Sequence, residues 1–87
     1  MMSSSARYIH AEQAKELITY MSYEHLPEHL QEVSRPFCDL ARQLYESATQ
    51  SGDVSTQTVR ALEYLLAAKD CAVRDAVNRK MSQEVER

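Results

Sequence analysis

Hydrophobic and polar positions alternate with a helical period along two long stretches of the chain, which its only glycine separates. In the first stretch, apolar residues recur at steps of four and three, at Leu26, Leu30, Val33, Phe37, Leu40 and Leu44. In the second stretch, the apolar stripe runs through Leu62, Leu65, Ala68, Ala72 and Ala76. Because the polar connection at residues 51–53 is short, the pattern predicts an antiparallel helical hairpin.

Local signals give approximate limits for three helices. They predict a short first helix, a second helix and a third helix over about residues 11–21, 27–49 and 55–79. Gly52 suits the left-handed residue that ends a helix. Asp53 or Ser55 then suits the cap that begins the next helix, because each side chain accepts bonds from free amides. The predicted organisation is a flexible N-terminus, a single helical hairpin domain and a charged tail, at residues 1–10, 11–80 and 81–87.

Pro36 falls inside the predicted second helix. It lacks the amide hydrogen that would bond the Glu32 carbonyl and it crowds the preceding turn, which predicts a kink. The apolar stripe continues through Pro36 without losing phase, so we expect one bent helix. A break into two helices at Ser34 and Arg35 is the alternative.

The size and charge of the chain narrow its class of partner. With 87 residues, one hairpin cannot cover both of its apolar faces, so we expect a homo-oligomer. The formal net charge of -3 argues against binding a DNA or RNA polymer. No run approaches the roughly 20 apolar residues that cross a bilayer, so no membrane partner is expected. The N-terminus lacks a signal peptide, and we expect a cytoplasmic protein with reduced thiols at Cys38 and Cys71.

Catalytic and metal-binding patterns are missing from the sequence. His25 and His29 are four residues apart, but Pro27 lies between them, so we do not expect both imidazoles on one helix face. There is no serine elbow, glycine-rich phosphate loop or helical histidine pair with a glutamate. We therefore expect neither an enzyme, nor a metal site, nor a cofactor.

A mixed stripe on the second helix is the sequence feature that best suits a ligand. Its members follow steps of three, four and three, at Arg35, Cys38, Arg42 and Tyr45. Two guanidinium groups and a phenol on one stripe suit phosphates and a base, and Tyr23 and His25 would add an aromatic lid. The alternative is that the arginines cover the apolar seam and pair with acidic neighbours, such as Asp39 and Glu46.

The residues that open the third helix, and those that lead into the second, also follow a pattern found in phage proteins. A serine opens the third helix and is followed by apolar residues at matching spacings, Ala61, Leu62, Leu65, Ala68 and Ala72. Residues 23–27 read Tyr-Glu-His-Leu-Pro, like a Tyr-His-Pro-type entry to a hairpin, and residues 37–44 form an apolar stretch. Over residues 23–79 the chain resembles the hairpin domain shared by phage anti-CBASS and anti-Thoeris proteins.

This resemblance implies a sponge that assembles, typically as a hexamer, and sequesters cyclic nucleotide messengers of bacterial immune systems without cleaving them. Carried over by position, Tyr23 matches an aromatic residue that stacks on a cyclic dinucleotide. Cys38 stands where the family has a lysine, and we infer that Arg35 and Arg42 compensate for the missing cation. A terminal arginine of the family maps near Arg79. Thr56 and Gln57 replace the family's Arg-Glu pair after the opening serine.

The sequence therefore predicts an all-α protein in which a short N-terminal helix precedes an antiparallel hairpin that forms a homo-oligomer. The expected function is sequestration of a cyclic nucleotide in the cytoplasm, that of the host cell for a phage-encoded chain. The expected ligand-binding residues are Tyr23, His25, Arg35, Cys38, Arg42 and Arg79. The main alternative is a small helical protein-interaction module or an inhibitor of a host protein, and a purely structural bundle is the third.

Overall fold

The computed structural model describes residues 3–85, with side chains described for residues 9–83. The described chain contains three helices, α1 (Ser3–Thr19), α2 (Glu28–Gln50) and α3 (Thr56–Val85). The two long helices α2 and α3 pack as a hairpin, which confirms the predicted all-α architecture. The molecule is an elongated rod of 63 × 17 × 15 Å. Among the described residues, no helix combines the length and the apolar character that crossing a bilayer requires.

The helix limits differ from the predicted ones at both ends of the chain. The first helix begins at Ser3, so it includes most of the segment predicted to be flexible, and the third continues to Val85 through most of the predicted tail. Residues 1–2 and 86–87 of those two segments lie outside the described residues. Both extensions are largely polar, and a helix without an apolar stripe gives no periodic signal. The second helix passes through Pro36 as one element, so a break at Ser34 and Arg35 is wrong.

The turn between α2 and α3 has the predicted chemistry. Gly52 adopts a φ of 70°, and the Asp53 amide donates to the Ala48 carbonyl at 3.1 Å, as in a Schellman ending. Ser55 caps α3, because its hydroxyl oxygen accepts from the Thr58 amide at 3.3 Å. The Thr58 hydroxyl oxygen accepts from the Ser55 amide at the same distance, so the two residues form a reciprocal cap. The predictions for Gly52 and Ser55 are confirmed.

The helix α1 lies along α3. His10 shares a hydrogen bond of 3.0 Å with Thr56, the first residue of α3, through its ring nitrogen and the threonine hydroxyl. Further along, the Tyr20 carbonyl accepts from the Lys69 ammonium. The order of these contacts shows that α1 and α3 run in the same direction, so α1 covers one side of the hairpin.

The seam between α2 and α3 contains small residues of α2. Ser34, Cys38 and Ala41 are fully buried there, whereas Leu40 and Leu44 are 45% and 38% exposed. The core cluster consists of Ala14, Met21, Cys38, Ala41, Val54, Val59 and Leu62. Of the predicted apolar stripe, Leu30 is buried and Val33 and Phe37 are half-buried, so the stripe is only partly covered within the chain. Periodicity locates an apolar face but does not show which neighbour covers it.

Candidate binding site

Residues 20–27 connect α1 to α2, and cations from both hairpin helices bind the backbone of this linker. The Lys69 ammonium donates to the carbonyls of Tyr20 and Ser22 at 3.0 and 3.3 Å. The Arg42 guanidinium donates to the Met21 carbonyl at 3.4 Å. These carbonyls follow the C-terminus of α1, where the helix dipole favours positive charge. The linker is thus the point at which all three helices meet.

Lys69 is the functional candidate that the sequence analysis missed. Its side chain is 6% exposed, and its contacts are to backbone carbonyls rather than to a carboxylate. An ammonium has three N–H donors, so two carbonyl contacts leave one donor for a further acceptor. The sequence did hold a signal, because Lys69 follows the buried Leu62 by two helical turns and therefore shares its face.

The structure brings Tyr23 and Arg35 together, as the predicted site requires. The Arg35 guanidinium carbon lies 5.4 Å from the centroid of the Tyr23 ring, within the range of a cation–π contact. Tyr23 is half-buried against the core cluster, which fixes its ring at the middle of the linker. An aromatic ring with a guanidinium group over it is a combination that suits stacking by a nucleobase.

His25 lines a shallow cavity on the α3 side of the linker. The cavity has a volume of about 310 Å³ and is lined by His25, Leu26, Lys69, Asp70, Val73 and Arg74. Lys69 and Arg74 contribute an ammonium and a guanidinium group, against the single carboxylate of Asp70, and His25 adds a ring nitrogen for hydrogen bonding. Leu26 and Val73 give the cavity an apolar wall. The balance of charge favours an anion.

A second cavity, of about 320 Å³, lies between α1 and the first half of α3. It is lined by Gln13, Glu16, Leu17, Tyr20, Val59 and Glu63. Its charged groups are the carboxylates of Glu16 and Glu63, without a cation among the lining residues. Because like charges repel, this cavity does not suit an anion, and the cavity at His25 is the better candidate.

Glu24 places one carboxylate within the cationic linker. Hydrogen bonds from the backbone amides of Glu24 and Tyr23 lower the pKa of this carboxyl group, and the nearby charges of Arg42 and His25 lower it further. The Glu24 carboxylate accepts from the Tyr23 amide at 3.1 Å. Glu24 therefore carries its negative charge near neutral pH, and a bound anion would compete with it for the surrounding cations.

The structure does not bring Cys38 to this surface. Its side chain is fully buried in the core, and burial raises the pKa of its thiol, so the sulfur is neutral. Arg35 and Arg42 lie three residues before and four residues after Cys38, so both point up to about 60° to one side of it around the helix. The cysteine therefore faces the seam, while the two arginines are exposed. In this single chain the Cys38 side chain is therefore not exposed to a ligand.

Arg79 also lies apart from the linker cluster. It forms an ion pair of 2.9 Å with Asp75, one helical turn earlier on α3, and both side chains are mostly exposed. Four of the six predicted residues therefore surround the linker, namely Tyr23, His25, Arg35 and Arg42. Within the described part of the chain, no three histidine, cysteine or carboxylate side chains are grouped to hold a metal ion.

Comparisons with protein families, with curated proteins and with solved structures find no significant match to this chain. The resemblance to the phage hairpin proteins therefore rests on the residues quoted for it, and the linker geometry is an independent basis for assigning a function.

Proposed function

We propose that this protein binds a cyclic nucleotide and sequesters it without breaking a bond. The observation that carries the proposal is the cationic cavity of His25, Lys69 and Arg74, next to the layered side chains of Tyr23 and Arg35. Phosphates and a base are the two chemical parts of a nucleotide, and these two features suit them respectively. The protein then acts by lowering the concentration of free messenger.

Each residue has a distinct role in this proposal. Arg74 and the remaining donor of Lys69 bind a phosphate in the cavity, and the His25 ring adds a hydrogen bond. The base stacks against the layer formed by Tyr23 and Arg35. Arg42 holds the linker through the Met21 carbonyl, so it positions the site and adds long-range attraction for the anion. Sequestration needs tight binding alone, and the proposal assigns no nucleophile or general base.

Self-association and location form the second part of the proposal. At about 310 Å³ the cavity lies at the lower end of the volumes that enclose small ligands, so one chain covers only part of a cyclic dinucleotide. We propose a homo-oligomer, a hexamer by the resemblance, in which neighbouring copies complete the site. We also propose that it acts in the cytoplasm, where the messengers of bacterial immune systems are made.

Calorimetric titration with cyclic di-AMP, cyclic di-GMP and cyclic ADP-ribose tests the binding site. We expect Arg74→Gln to weaken binding of the preferred nucleotide by about 10-fold or more, because a charge-assisted hydrogen bond is lost. Arg60→Gln is the matched control, since Arg60 is an exposed arginine of α3 outside the cavity, and its affinity should equal that of the wild type. Equal affinity of the Arg74 variant, or uptake of none of the three nucleotides, contradicts the proposal.

A second candidate function is a helical protein-interaction module. The exposure of Leu40 and Leu44 on α2 favours it, because a partner helix would bury these side chains. This candidate places the functional surface on α2 away from the linker. It predicts that purified protein takes up none of the three nucleotides and that Leu40→Glu, rather than Arg74→Gln, abolishes function.

A further inference from the structure

The side of the hairpin turned away from α1 is almost entirely apolar. We call this surface the outer face, and it consists of Val33, Phe37, Leu40, Leu44, Ala61, Leu65, Ala68 and Ala72. On α2 its members follow steps of four, three and four, and the same steps recur on α3, so each set forms one stripe. The eight residues range from half-buried to exposed in the single chain.

The position of the outer face follows from contacts on the opposite side. On α2, Arg35 and Arg42 contact the linker, and Phe37 and Leu44 lie across the buried seam from them. On α3, Val59 and Glu63 line a cavity together with residues of α1. The stripe that begins at Ala61 is on the other side of buried Leu62 from these contacts. The α1 helix therefore covers one side of the hairpin and leaves the outer face uncovered.

On α2, small side chains face the seam and larger ones lie outside it, which is the reverse of an ordinary contact between two helices. Small Ser34, Cys38 and Ala41 fill the seam, while the bulkier Phe37 and Leu40 lie outside it. A core normally buries the largest apolar side chains, because they remove the most apolar surface from water. The arrangement indicates that the large residues of α2 are buried by another chain.

The outer face is complementary in charge and shape to the outer face of a second copy. None of its eight residues carries a charge, and the α3 stripe continues into Asp75 and Arg79, which neutralise each other as an ion pair. The α2 half presents large side chains and the α3 half presents alanines at three of its four positions. Large side chains therefore meet small ones when α2 of one copy lies over α3 of another.

We propose that the outer face packs against the outer face of a second copy, about a two-fold axis parallel to the helices. That axis places each α2 over the partner's α3, and the four hairpin helices then form one bundle. Because the hairpin turns at Gly52 and both helices rise by about 1.5 Å per residue, Leu44 lies near the height of Ala61 and Phe37 near that of Ala68. The linker cavities lie outside this interface, so in the proposed hexamer a different contact, between such pairs, completes them. This inference specifies the surface for the proposed self-association and does not depend on nucleotide binding.

Light scattering coupled to gel filtration tests the proposed surface through the mass of the particle. The wild type should have a mass of at least two 10.0 kDa chains. We expect Leu40→Glu to weaken association by at least about 100-fold, since two carboxylates would enter an apolar interface. Ile9→Glu is the matched control, because Ile9 is a comparably exposed aliphatic residue on α1, and it should keep the wild-type mass. Circular dichroism should show equal helix content in all three proteins.

Leu44→Glu should weaken association as Leu40→Glu does, and adding Ala61→Arg to it tests the arrangement as well as the surface. The double variant should recover the wild-type mass, because each new arginine would face the partner's new glutamate. A Leu40→Glu protein that keeps its mass places the interface elsewhere, and failure of the rescue contradicts the two-fold arrangement. A wild type of single-chain mass would overturn self-association itself, whatever the calorimetry shows. Loss of nucleotide binding with an intact assembly would instead contradict only the proposed function.

Discussion

The two sides of the hairpin differ in how far their side chains are covered within one chain. On the linker side, Lys69 and Arg42 bind backbone carbonyls of the linker, and Tyr23 packs beneath Arg35. On the outer face, the apolar side chains of Leu40 and Leu44 are 45% and 38% exposed in the single chain. One helix, α2, thus carries a polar edge and an apolar edge, to which we assign the proposed ligand and the proposed second copy respectively.

The distribution of charge supports the same division. Cations, a titratable imidazole and the Glu24 carboxylate surround the linker, whereas the charges at the end of the outer face are paired with each other. Oriented charges raise the local concentration of an oppositely charged ligand, and uncharged faces favour stable contact between copies. Substitutions on the two sides should therefore have different measurable effects.

The largest expected effect on folding is that of Lys69→Met. The substitution keeps the length of the side chain but removes both hydrogen bonds to the Tyr20 and Ser22 carbonyls, so we expect a loss of about 2 kcal/mol in the free energy of unfolding. Urea denaturation followed by circular dichroism measures this loss. Lys80→Met is the control, because Lys80 is exposed on α3 and its replacement should change stability by less than about 0.5 kcal/mol. A Lys69 variant as stable as the wild type would show that the lysine does not hold the linker.

A smaller effect of the opposite sign is expected in the seam that separates the two sides. The Ser34 hydroxyl is fully buried and has no hydrogen-bond partner among the residues that the structure describes, so its desolvation is uncompensated. Ser34→Ala should raise the free energy of unfolding by about 1 kcal/mol. The exposed Ser47 on the same helix provides the control Ser47→Ala, which changes only helix propensity. Equal gains from the two variants would show that the buried hydroxyl carries no penalty.

The smallest effect concerns the layer formed by Tyr23 and Arg35. A double-mutant cycle with Tyr23→Leu and Arg35→Gln should give a coupling energy of about 0.5 kcal/mol, because the exposed guanidinium is well solvated. Thermal or urea unfolding of the four proteins provides the measurement. A coupling of zero would mean that the contact orders the two side chains without stabilising the fold.

Local chemistry made the hairpin and its turn predictable from the sequence. A left-handed Gly52 and a capping Ser55 depend on residues close to them in the chain, so their signals survive whatever the tertiary structure. The same holds for the helical period of α2. Pro27 made the start of α2 predictable, and Tyr23 and His25 could therefore be placed in the linker before that helix.

The phase of α2 and the burial of Lys69 were not predictable in the same way. Both depend on which surface faces a neighbour, and an apolar stripe is equally consistent with a contact within the chain and one between chains. The sequence predicted an apolar stripe through Phe37 but not that Cys38, one residue further on, is the more deeply buried of the two. Lys69 looked like a surface residue because its partners are backbone carbonyls, which have no side-chain signature in a sequence.

Native mass spectrometry of the purified protein, alone and mixed with cyclic di- and trinucleotides and cyclic ADP-ribose isomers, separates sequestration from the alternatives in one experiment. We predict a defined oligomer that gains discrete mass equal to one of these nucleotides, and an Arg74→Gln oligomer of the same size that gains less. A defined oligomer that binds no nucleotide in the panel would contradict sequestration and favour the protein-interaction function.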